Sequence, residues 1–285
     1  MKKIAFYIGV LIAVALYASL GWAELLNPVA HEKMVYPVVR VTTHQGGGSG
    51  TVIYSKPNTA GHYSTYVLTN HHVIQAAVRI DEVWDTKKQK KVKKEKRSIV
   101  YVEVFQYRNI SNPIGTLKLE ADITCYDEMG DMALLKLRSE TPVAHVATLR
   151  AREAVDTIHV LDETVAVGCS LLWPPLPTTG ILTRQGFQVD SLPYHMSSAQ
   201  IIYGNSGGAM FLAETGELIG IPSMVAVIGW GSPVTHMGLF IPVSRIYEWL
   251  DEDGYSFLWD PAITEDDALK AIEEKDEKAK EADED

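Results

Sequence analysis

The sequence predicts an all-β protein, and three observations support that prediction. Short runs of β-branched and apolar residues recur between positions 35 and 243, too closely spaced for intervening helices. A stretch rich in proline and alanine, Thr141 to Ala154, divides these runs into two sets of six. No helical periodicity of useful length precedes residue 244. Strands at such spacing are typical of sandwiches and barrels rather than of alternating strand and helix units.

The two sets predict two β-rich domains, over residues 36–145 and 150–250. The first set comprises Val38–Thr42, Gly50–Tyr54, Tyr66–Thr69, Ile99–Phe105, Thr116–Leu119 and Met132–Leu137. The second comprises Thr164–Gly168, Gly180–Thr183, Ala199–Ile202, Ala209–Leu212, Leu218–Ile221 and Met237–Ile241. A short helix is expected to follow over Ser244–Leu250, with Ser244 as its N-cap and one apolar face.

The N-terminus has the pattern of a targeting segment. Lys2 and Lys3 precede the uncharged apolar stretch Ile4–Leu20, and the small residues around Ala23 suit a signal peptidase. Two alternatives stay open for residues 1–23: a signal peptide cleaved after Ala23, or a retained membrane anchor through residues 4–20. Either one predicts an exported protein, periplasmic or extracellular, or held at the outer face of the inner membrane.

Charge is unevenly distributed along the chain. The net charge is −10, but Glu265–Asp285 alone holds eleven acids and four lysines, a net of −7. Residues 251–285 are therefore expected to be an acidic tail, either disordered or helical.

The run Lys87–Arg97 has the opposite character, with eight basic residues and one acid. It is expected to be a solvated hairpin tip between strands at Ala77–Trp84 and Ile99–Phe105. Docking of the acidic tail, or attraction to anionic lipid or another polyanion, are the functional alternatives. Nucleic acid is not an expected partner, because the run lacks interleaved aromatic residues and the chain is expected to be exported.

The chain has two cysteines, Cys125 and Cys169. The expected compartment permits a disulfide, but the spacing does not show whether the two meet. Two free, partly buried thiols are the favoured interpretation.

The pentapeptide Gly204-Asn205-Ser206-Gly207-Gly208 points to catalysis. A serine between glycines lies where side-chain bulk is excluded and backbone N–H groups can face a ligand, which suits a nucleophile beside an oxyanion hole. Such a serine needs a base and an orienting acid. His71-His72 follows one predicted strand, and Asp131 directly precedes another. The order histidine, aspartate, serine in a β-rich chain favours a serine hydrolase triad.

The chain resembles the trypsin-like serine peptidases, and within them the bacterial HtrA (Deg) branch. The matching segments span about residues 36–250: Gly48–Ile53, Leu68–Ile74, Asp131–Lys136, Thr179–Leu182, Gly204–Ala209, Gly216–Ile221 and Gly238–Pro242. The resemblance implies two six-stranded antiparallel β-barrels with a short C-terminal helix. The first barrel would carry the histidine and the aspartate, and the second the serine.

The resemblance also assigns roles. His72 matches the general base of the pattern Thr-Asn-Xaa-His-Val, Asp131 the orienting acid and Ser206 the nucleophile. Gly204, Asn205 and Ser206 match the oxyanion hole. The implied activity is that of a serine endopeptidase on protein or peptide substrates, unfolded or flexible ones above all, without cofactor or metal.

The implied specificity pocket is formed by Ile201, Met224 and Val225. Since none is charged, a small or medium apolar residue is expected before the scissile bond.

Three further expectations concern activation, domain content and assembly. Asn205 stands where digestive-type relatives have an aspartate that pairs with a freed N-terminal amine, so activation of that kind is not expected. About 35 residues follow Leu250, too few for the PDZ domains that HtrA proteins usually carry. A trimer formed through Leu25–Tyr36 is implied by the family, although this segment matches none of its motifs.

Other hypotheses fit less well. The pentapeptide also satisfies the Gly-Xaa-Ser-Xaa-Gly pattern of α/β-hydrolases, but only His236 follows the serine and strand–helix alternation is missing. A metal site at His71-His72 is disfavoured because adjacent strand residues point to opposite faces. The remaining alternative is a protease-fold binding or chaperone-like module whose catalysis is dispensable.

Overall fold

The computed structural model describes residues 28–86 and 89–282. Its strands are β1 Val38–Thr42, β2 Gly47–Pro57, β3 Tyr63–Thr69, β4 Val78–Asp85, β5 Lys90–Arg97, β6 Val100–Arg108, β7 Asn112–Asp127, β8 Met132–Leu137, β9 Glu163–Gly168, β10 Leu176–Val189, β11 Leu192–Ser197, β12 Ala209–Leu212, β13 Leu218–Ile228 and β14 Ser232–Pro242. Its α-helices are α1 His71–Ile74, α2 Val243–Glu252 and α3 Glu265–Ala282. The targeting segment predicted at 1–23 lies outside the described residues.

Twelve of these strands close into two six-stranded barrels. The first has the order β1-β2-β3-β8-β7-β6, and the second β10-β11-β14-β13-β12-β9. Each pairing around both barrels is antiparallel. The all-β, two-barrel fold predicted from the sequence is therefore confirmed.

Alternate side chains of the strands fill three apolar cores: the interior of each barrel and a core that the two barrels share. Alternate residues of a strand point to opposite faces. In β8, Ala133 and Leu135 fill the first barrel, whereas Met132 and Leu134 face outward into a core shared with the second. In β12, Met210 packs inside the second barrel while its neighbour Phe211 joins the shared core. Burial of both strand faces explains why these strands are continuously apolar.

Helix α2 confirms the short helix predicted after the second barrel. Its N-cap is Pro242, without a side-chain capping hydrogen bond, so the prediction of Ser244 as N-cap was wrong. The helix begins earlier because proline, which cannot donate from its backbone, ends strand β14 and leaves Val243 free to start the first turn. Ile246, Trp249 and Leu250 all pack into the shared core.

One predicted strand lies in the wrong place. Ala199–Ile202 has no strand pairing, and the strand in this region is β11, Leu192–Ser197. Pro193 obscured β11 in the sequence, because proline is depleted in strands. Ala199 and Ile201 are buried as the pattern suggests, but they fill the second barrel from a loop.

The basic run also differs from its prediction. Most of it forms strand β5, paired along its whole length with β4, rather than a hairpin tip. Acidic residues of β4 explain why a strand of lysines forms: Glu82 lies opposite Lys93, and Asp81 opposite Lys94. Oppositely charged cross-strand neighbours stabilise a sheet, whereas like charges destabilise it.

The residues expected to form an acidic tail are helical over α3. Its first residue is buried: the Glu265 carboxylate accepts hydrogen bonds from Tyr66 Oη and Lys136 Nζ, both at 2.7 Å. Ala268 and Ile272 pack against the shared core. Within residues 28–86 and 89–282, no helix is both long and apolar enough to cross a membrane.

Cys125 and Cys169 are both free thiols, as favoured from the sequence. Burial is the main cause that raises the pKa of each, so neither is poised to react as a thiolate. The trimer expected through Leu25–Tyr36 stays a prediction.

Candidate active site

The turn between β7 and β8 presents Asp131 in an unusual backbone conformation. Its φ is 58°, in the left-handed region that non-glycine residues seldom occupy. Hydrogen bonds hold the turn on both sides. The Gly130 N–H donates to Asp127 Oδ1 at 2.8 Å, and Asn70 Nδ2 donates to the Asp131 carbonyl at 2.7 Å. Strain of this kind persists where the surrounding structure over-determines it, often at active sites.

His72 lies directly against this carboxylate. Helix α1 begins after the end of β3, and the His72 backbone N–H donates to Asp131 Oδ1 at 3.0 Å. Its ring Nδ1 is 2.9 Å from both Oδ1 and Oδ2. A proton on Nδ1 satisfies the carboxylate and leaves Nε2 as a free base. The aspartate thus fixes both the position and the tautomer of the imidazole.

A third donor to the carboxylate comes from the other barrel. Ser223 of β13 donates from Oγ to Asp131 Oδ2 at 2.5 Å. Burial acts to raise the pKa of Asp131, but the hydrogen bonds and charge of His72, together with the hydrogen bond from Ser223, outweigh it and lower the pKa. The carboxylate is therefore anionic at neutral pH, as the orienting acid of a triad must be.

The neighbouring histidine has a different environment. His71 is buried, and its ring stacks on Tyr126 with centroids 4.9 Å apart. Of the two candidates, only His72 meets Asp131. The assignment of His72 as the base, which the resemblance implied, matches this geometry.

Ser206 lies on the glycine-rich loop between β11 and β12. Its carbonyl accepts a hydrogen bond from the Ser49 N–H at 2.8 Å, which ties the loop to the first barrel. Its hydroxyl donates to the Ser223 carbonyl at 3.3 Å, and no hydrogen bond among the described residues joins it to His72. Ser223 therefore contacts both Ser206 and Asp131. In enzymes without substrate, catalytic hydrogen bonds are often long or misaligned, and they tighten when substrate binds.

Two glycines of this loop have no substitute. Gly204 has a φ of 97°, and a Cβ there would lie 2.4 Å from the Cys169 carbonyl oxygen. Gly207 has a φ of 82°, and a Cβ there would lie 2.2 Å from the Ser49 carbonyl oxygen. Only glycine fits both the torsion and the space.

The loop leaves two backbone donors available. The Tyr203 carbonyl accepts from the Leu171 N–H at 2.8 Å, and the Asn205 carbonyl accepts from the Gly208 N–H at 2.9 Å. In a trans peptide the N–H points opposite to the carbonyl, so the N–H groups of Gly204 and Ser206 are directed away from those partners. Neither donates a hydrogen bond within the described part of the chain. Two such donors near a serine hydroxyl can stabilise an oxyanion.

Asn205 is fully buried behind these donors. Its Oδ1 accepts from Ser170 Oγ at 2.5 Å. A neutral hydrogen bond from Ser170 therefore holds the Asn205 side chain.

The three predicted pocket residues do not all line the same cleft. Met224 lines a cleft of about 380 Å³ that also includes His72 and Asp131. Ile201 is buried against Gly238, where an added Cβ would lie 2.3 Å from its Cδ1. Val225 pairs with Gly238 across the β13–β14 ladder. Ile201 and Val225 are therefore neighbours through one glycine, while Met224 lies nearer the imidazole.

A larger cavity lies elsewhere. A space of about 570 Å³ is lined by Tyr54, Arg152 and Trp259 among others, and it contains none of the three triad candidates. The chemistry of the side chains, rather than the size of the cavity, identifies the candidate site.

Sequence reasoning missed two supporting residues. Ser223 is one polar residue inside an apolar strand, which is too weak a signal to assign a role. Arg245 gave a stronger signal, because no other Asp, Glu, Lys or Arg lies between Glu217 and Glu248. It is buried, and its guanidinium donates to the Gly130 carbonyl at 3.3 Å, immediately before Asp131. A lone arginine in a long uncharged stretch indicates a structural partner.

The family model for the trypsin-like peptidase domain matches residues 48–221. This is more than half of the chain, so the protein belongs to the trypsin-like peptidase family.

Several bacterial proteases are similar to this chain. The periplasmic pH-dependent serine endoprotease DegQ of Escherichia coli (strain K12) is 28% identical over 202 residues, 70% of this chain and 35% of DegQ. The magnetosome formation protease MamE of Paramagnetospirillum magneticum is 26% identical, and the match covers 73% of this chain and 24% of MamE. The serine protease Do-like HtrA of Lactococcus lactis subsp. lactis is 29% identical, and the match covers 73% of this chain and 45% of that protease. The chain thus spans less than half the length of these relatives.

A solved structure has the same fold. The HtrA-type protease AlgW with a decapeptide superposes with a TM-score of 0.56 at 19% identity, over 78% of this chain and 66% of AlgW. At this identity the likeness supports the fold alone.

Proposed function

We propose that this chain is a serine endopeptidase that hydrolyses peptide bonds through Ser206, His72 and Asp131. The observation that carries the proposal is the double contact of His72 with Asp131, through the ring and through the backbone N–H. This geometry leaves Nε2 as the base on the side of the imidazole away from the acid. Membership of the trypsin-like peptidase family supports the same activity.

The reaction follows from the triad chemistry. Ser206 Oγ attacks the scissile carbonyl while His72 Nε2 takes its proton, forming a tetrahedral intermediate. His72 then returns the proton to the leaving amine, and the C–N bond breaks to give an acyl-enzyme. Water, deprotonated by His72, attacks the ester to form a second tetrahedral intermediate. This collapses as His72 returns that proton to Ser206 Oγ, the ester C–O bond breaks and the acid product is released. Asp131 stays anionic throughout and stabilises the imidazolium.

The developing oxyanion is stabilised by the N–H groups of Gly204 and Ser206. Each such donor typically contributes about 10²–10³ in rate. Because Leu171 and Gly208 already occupy the flanking carbonyls, the donors are oriented before substrate arrives. Asn205 is held by Ser170 and needs no newly freed amine. We therefore infer that activity does not depend on cleavage of an activation peptide.

The substrates we propose are exported proteins or peptides in a flexible or unfolded state. The apolar character of Ile201, Met224 and Val225 supports a preference for small or medium apolar residues before the scissile bond. The relatives' names support the setting, since DegQ is described as periplasmic. The biological role we propose is quality control or processing of proteins of the cell envelope.

The experiment is identification of cleavage products by mass spectrometry, comparing wild-type protein with Ser206→Ala on an exported protein fraction. We expect new peptide termini with wild type only, enriched in valine, alanine or isoleucine before the cut. A strong preference for arginine or lysine would contradict the pocket assignment. Equal products from both proteins would contradict the activity. A full biological effect from Ser206→Ala would instead favour the binding-module alternative.

A further inference from the structure

The hairpin β4–β5 belongs to neither barrel, yet it is fully paired. Its eight residue pairs form a separate two-stranded sheet. At about 3.3 Å per residue, it reaches roughly 26 Å from its base. An isolated two-stranded hairpin is at best marginally stable in water, and it normally needs packing on one face.

Only the base of the hairpin is packed. The Arg97 guanidinium donates to the carbonyls of Ile123 and Thr124 at 2.9 and 2.7 Å. Glu95 accepts a hydrogen bond from Tyr126 Oη at 2.7 Å. The base is thus fixed to the barrel that carries His72 and Asp131, while the outer part is exposed.

One face of the hairpin is both apolar and basic. Ile80 and Trp84 are 57% and 63% exposed. Strand alternation places them on the face of Glu82, and the register adds Glu95, Lys93 and Lys91, which lie opposite Ile80, Glu82 and Trp84. Glu82 pairs with Lys91 at 3.4 Å, and Glu95 pairs with Arg97. Lys93 forms no ion pair within the described residues. This face therefore combines uncovered apolar surface with one unpaired lysine.

The charge of the hairpin contrasts with the rest of the molecule. Residues 78–97 hold nine basic residues and four acids, a net of +5 in a chain of net −10. Charge complementarity therefore requires an anionic partner.

The partner must also cover Ile80 and Trp84. An acidic segment such as α3 would neutralise the lysines but would offer little apolar surface, and α3 is already docked through Glu265. Lysines on an edge strand also prevent aggregation, but that role does not explain an exposed tryptophan. An anionic phospholipid surface satisfies both requirements, because tryptophan favours the interface and lysine is attracted to anionic headgroups.

We propose that the face of β4–β5 formed by Ile80, Trp84, Lys91 and Lys93 binds an anionic phospholipid surface. Both alternatives for residues 1–23 bring the chain to a membrane during export. The hairpin would then hold the peptidase body against that surface. This inference does not depend on the peptidase activity.

The first test measures sedimentation of the full chain with vesicles of phosphatidylcholine and phosphatidylglycerol in equal ratio, and with phosphatidylcholine alone. For Lys91→Glu/Lys93→Glu, we expect binding to the anionic vesicles to weaken about tenfold or more, with no change on neutral ones. The matched control is Lys275→Glu/Lys278→Glu on α3, which makes the same charge change and should bind like wild type. Any contribution of residues 4–20 is common to all variants. Equal binding by both double variants would overturn the proposal.

The second test asks whether Trp84 enters the interface. Bromine on the phosphatidylglycerol chains quenches nearby tryptophan, so we expect quenching in wild type that is largely lost in Trp84→Phe. Circular dichroism melts verify that each variant is folded. Quenching that is unchanged in Trp84→Phe would contradict the proposal. Binding to polyglutamate without binding to vesicles would overturn it and assign the hairpin to an acidic protein partner.

Discussion

At the scale of single residues, Asp131 organises the site. Its carboxylate accepts hydrogen bonds from the His72 backbone and ring and from Ser223, while its backbone is held in the left-handed region. No single contact fixes the imidazole. The arrangement depends on the first barrel for two donors and on the second barrel for the third.

Asp131→Asn tests the orienting role. An amide can donate to His72 Nδ1, which would stabilise the tautomer that carries its proton on Nε2 and cannot act as a base. By analogy with such a change in other triads, we expect kcat to fall about 10⁴-fold with little change in KM. Peptide hydrolysis under saturating substrate measures this. A loss below tenfold would contradict the assignment of Asp131.

The lowered pKa of Asp131 predicts a specific pH dependence of stability. A carboxylate whose pKa is lower in the folded state adds stability above its unfolded pKa of about 3.9, and this stability is lost as pH falls through the folded pKa. The difference in unfolding free energy between wild type and Asp131→Asn should thus shrink below about pH 4. Urea unfolding across pH 2–7 tests it, and a constant difference would argue against this linkage.

The sequence identified the triad candidates because each lies in a motif with a family pattern. Ser223 escaped notice because its role depends on a contact between barrels that no local pattern encodes. The orientation of the Ser206 hydroxyl toward the Ser223 carbonyl was equally unpredictable, since it reflects a rotamer choice.

At the scale of elements, helix α2 contacts the turn before Asp131 through the side chain of Arg245. Arg245 donates to the Gly130 carbonyl and to the Pro193 carbonyl, both at 3.3 Å, and its guanidinium lies 5.0 Å from the Tyr194 ring centroid. A buried arginine without an acidic partner is costly unless its donors are satisfied. Its contacts link α2, the turn before Asp131 and strand β11.

Arg245→Leu should therefore impair activity through the position of Asp131. We expect kcat to fall about tenfold, because small displacements of a catalytic group are costly, while KM changes less. The control is Arg138→Leu, an exposed arginine paired with Asp122 and Glu120. Equal kcat values for wild type and Arg245→Leu would show that α2 does not position the acid.

Helix α3 docks through one buried carboxylate. Glu265→Ala would leave Tyr66 Oη without its acceptor and Lys136 without its ion pair, so we expect a loss of about 1–3 kcal/mol of unfolding free energy. Glu274→Ala, on the exposed side of the same helix, should change stability by less than about 0.5 kcal/mol. Urea unfolding of both variants measures the difference. Equal stability would mean that α3 contributes nothing through this contact.

The positions of strands were predictable from the sequence where the apolar periodicity was clear. The predictions were wrong where the amino-acid composition of a strand was atypical. The strands of the first set were placed correctly because alternate β-branched residues face the barrel interior. Strand β11 was missed at Pro193, and β5 was mistaken for a tip because lysine-rich runs rarely form strands without acidic neighbours. Those neighbours lie on β4 and become relevant only once the register is known.

At the scale of the whole molecule, the proposed catalysis depends on how the two barrels meet. His72 and Asp131 belong to the first barrel, and Ser206 and Ser223 to the second. The shared core, in which Met132 and Leu134 pack with Phe211 and other residues, holds these groups in contact. The two-barrel fold was predictable because two sets of closely spaced strands and the family resemblance agreed. The docking of α3 was not, since acidic composition alone allows either a helix or disorder.

The most direct test of the account is covalent labelling with a fluorophosphonate, followed by peptide mapping of the wild-type protein. This reagent reacts with a serine that has an adjacent base and an oxyanion hole. The account predicts one adduct, on Ser206, which is lost in Ser206→Ala and strongly reduced in His72→Ala. A folded wild-type protein that hydrolyses casein but carries the adduct on another serine, or none at all, would contradict it.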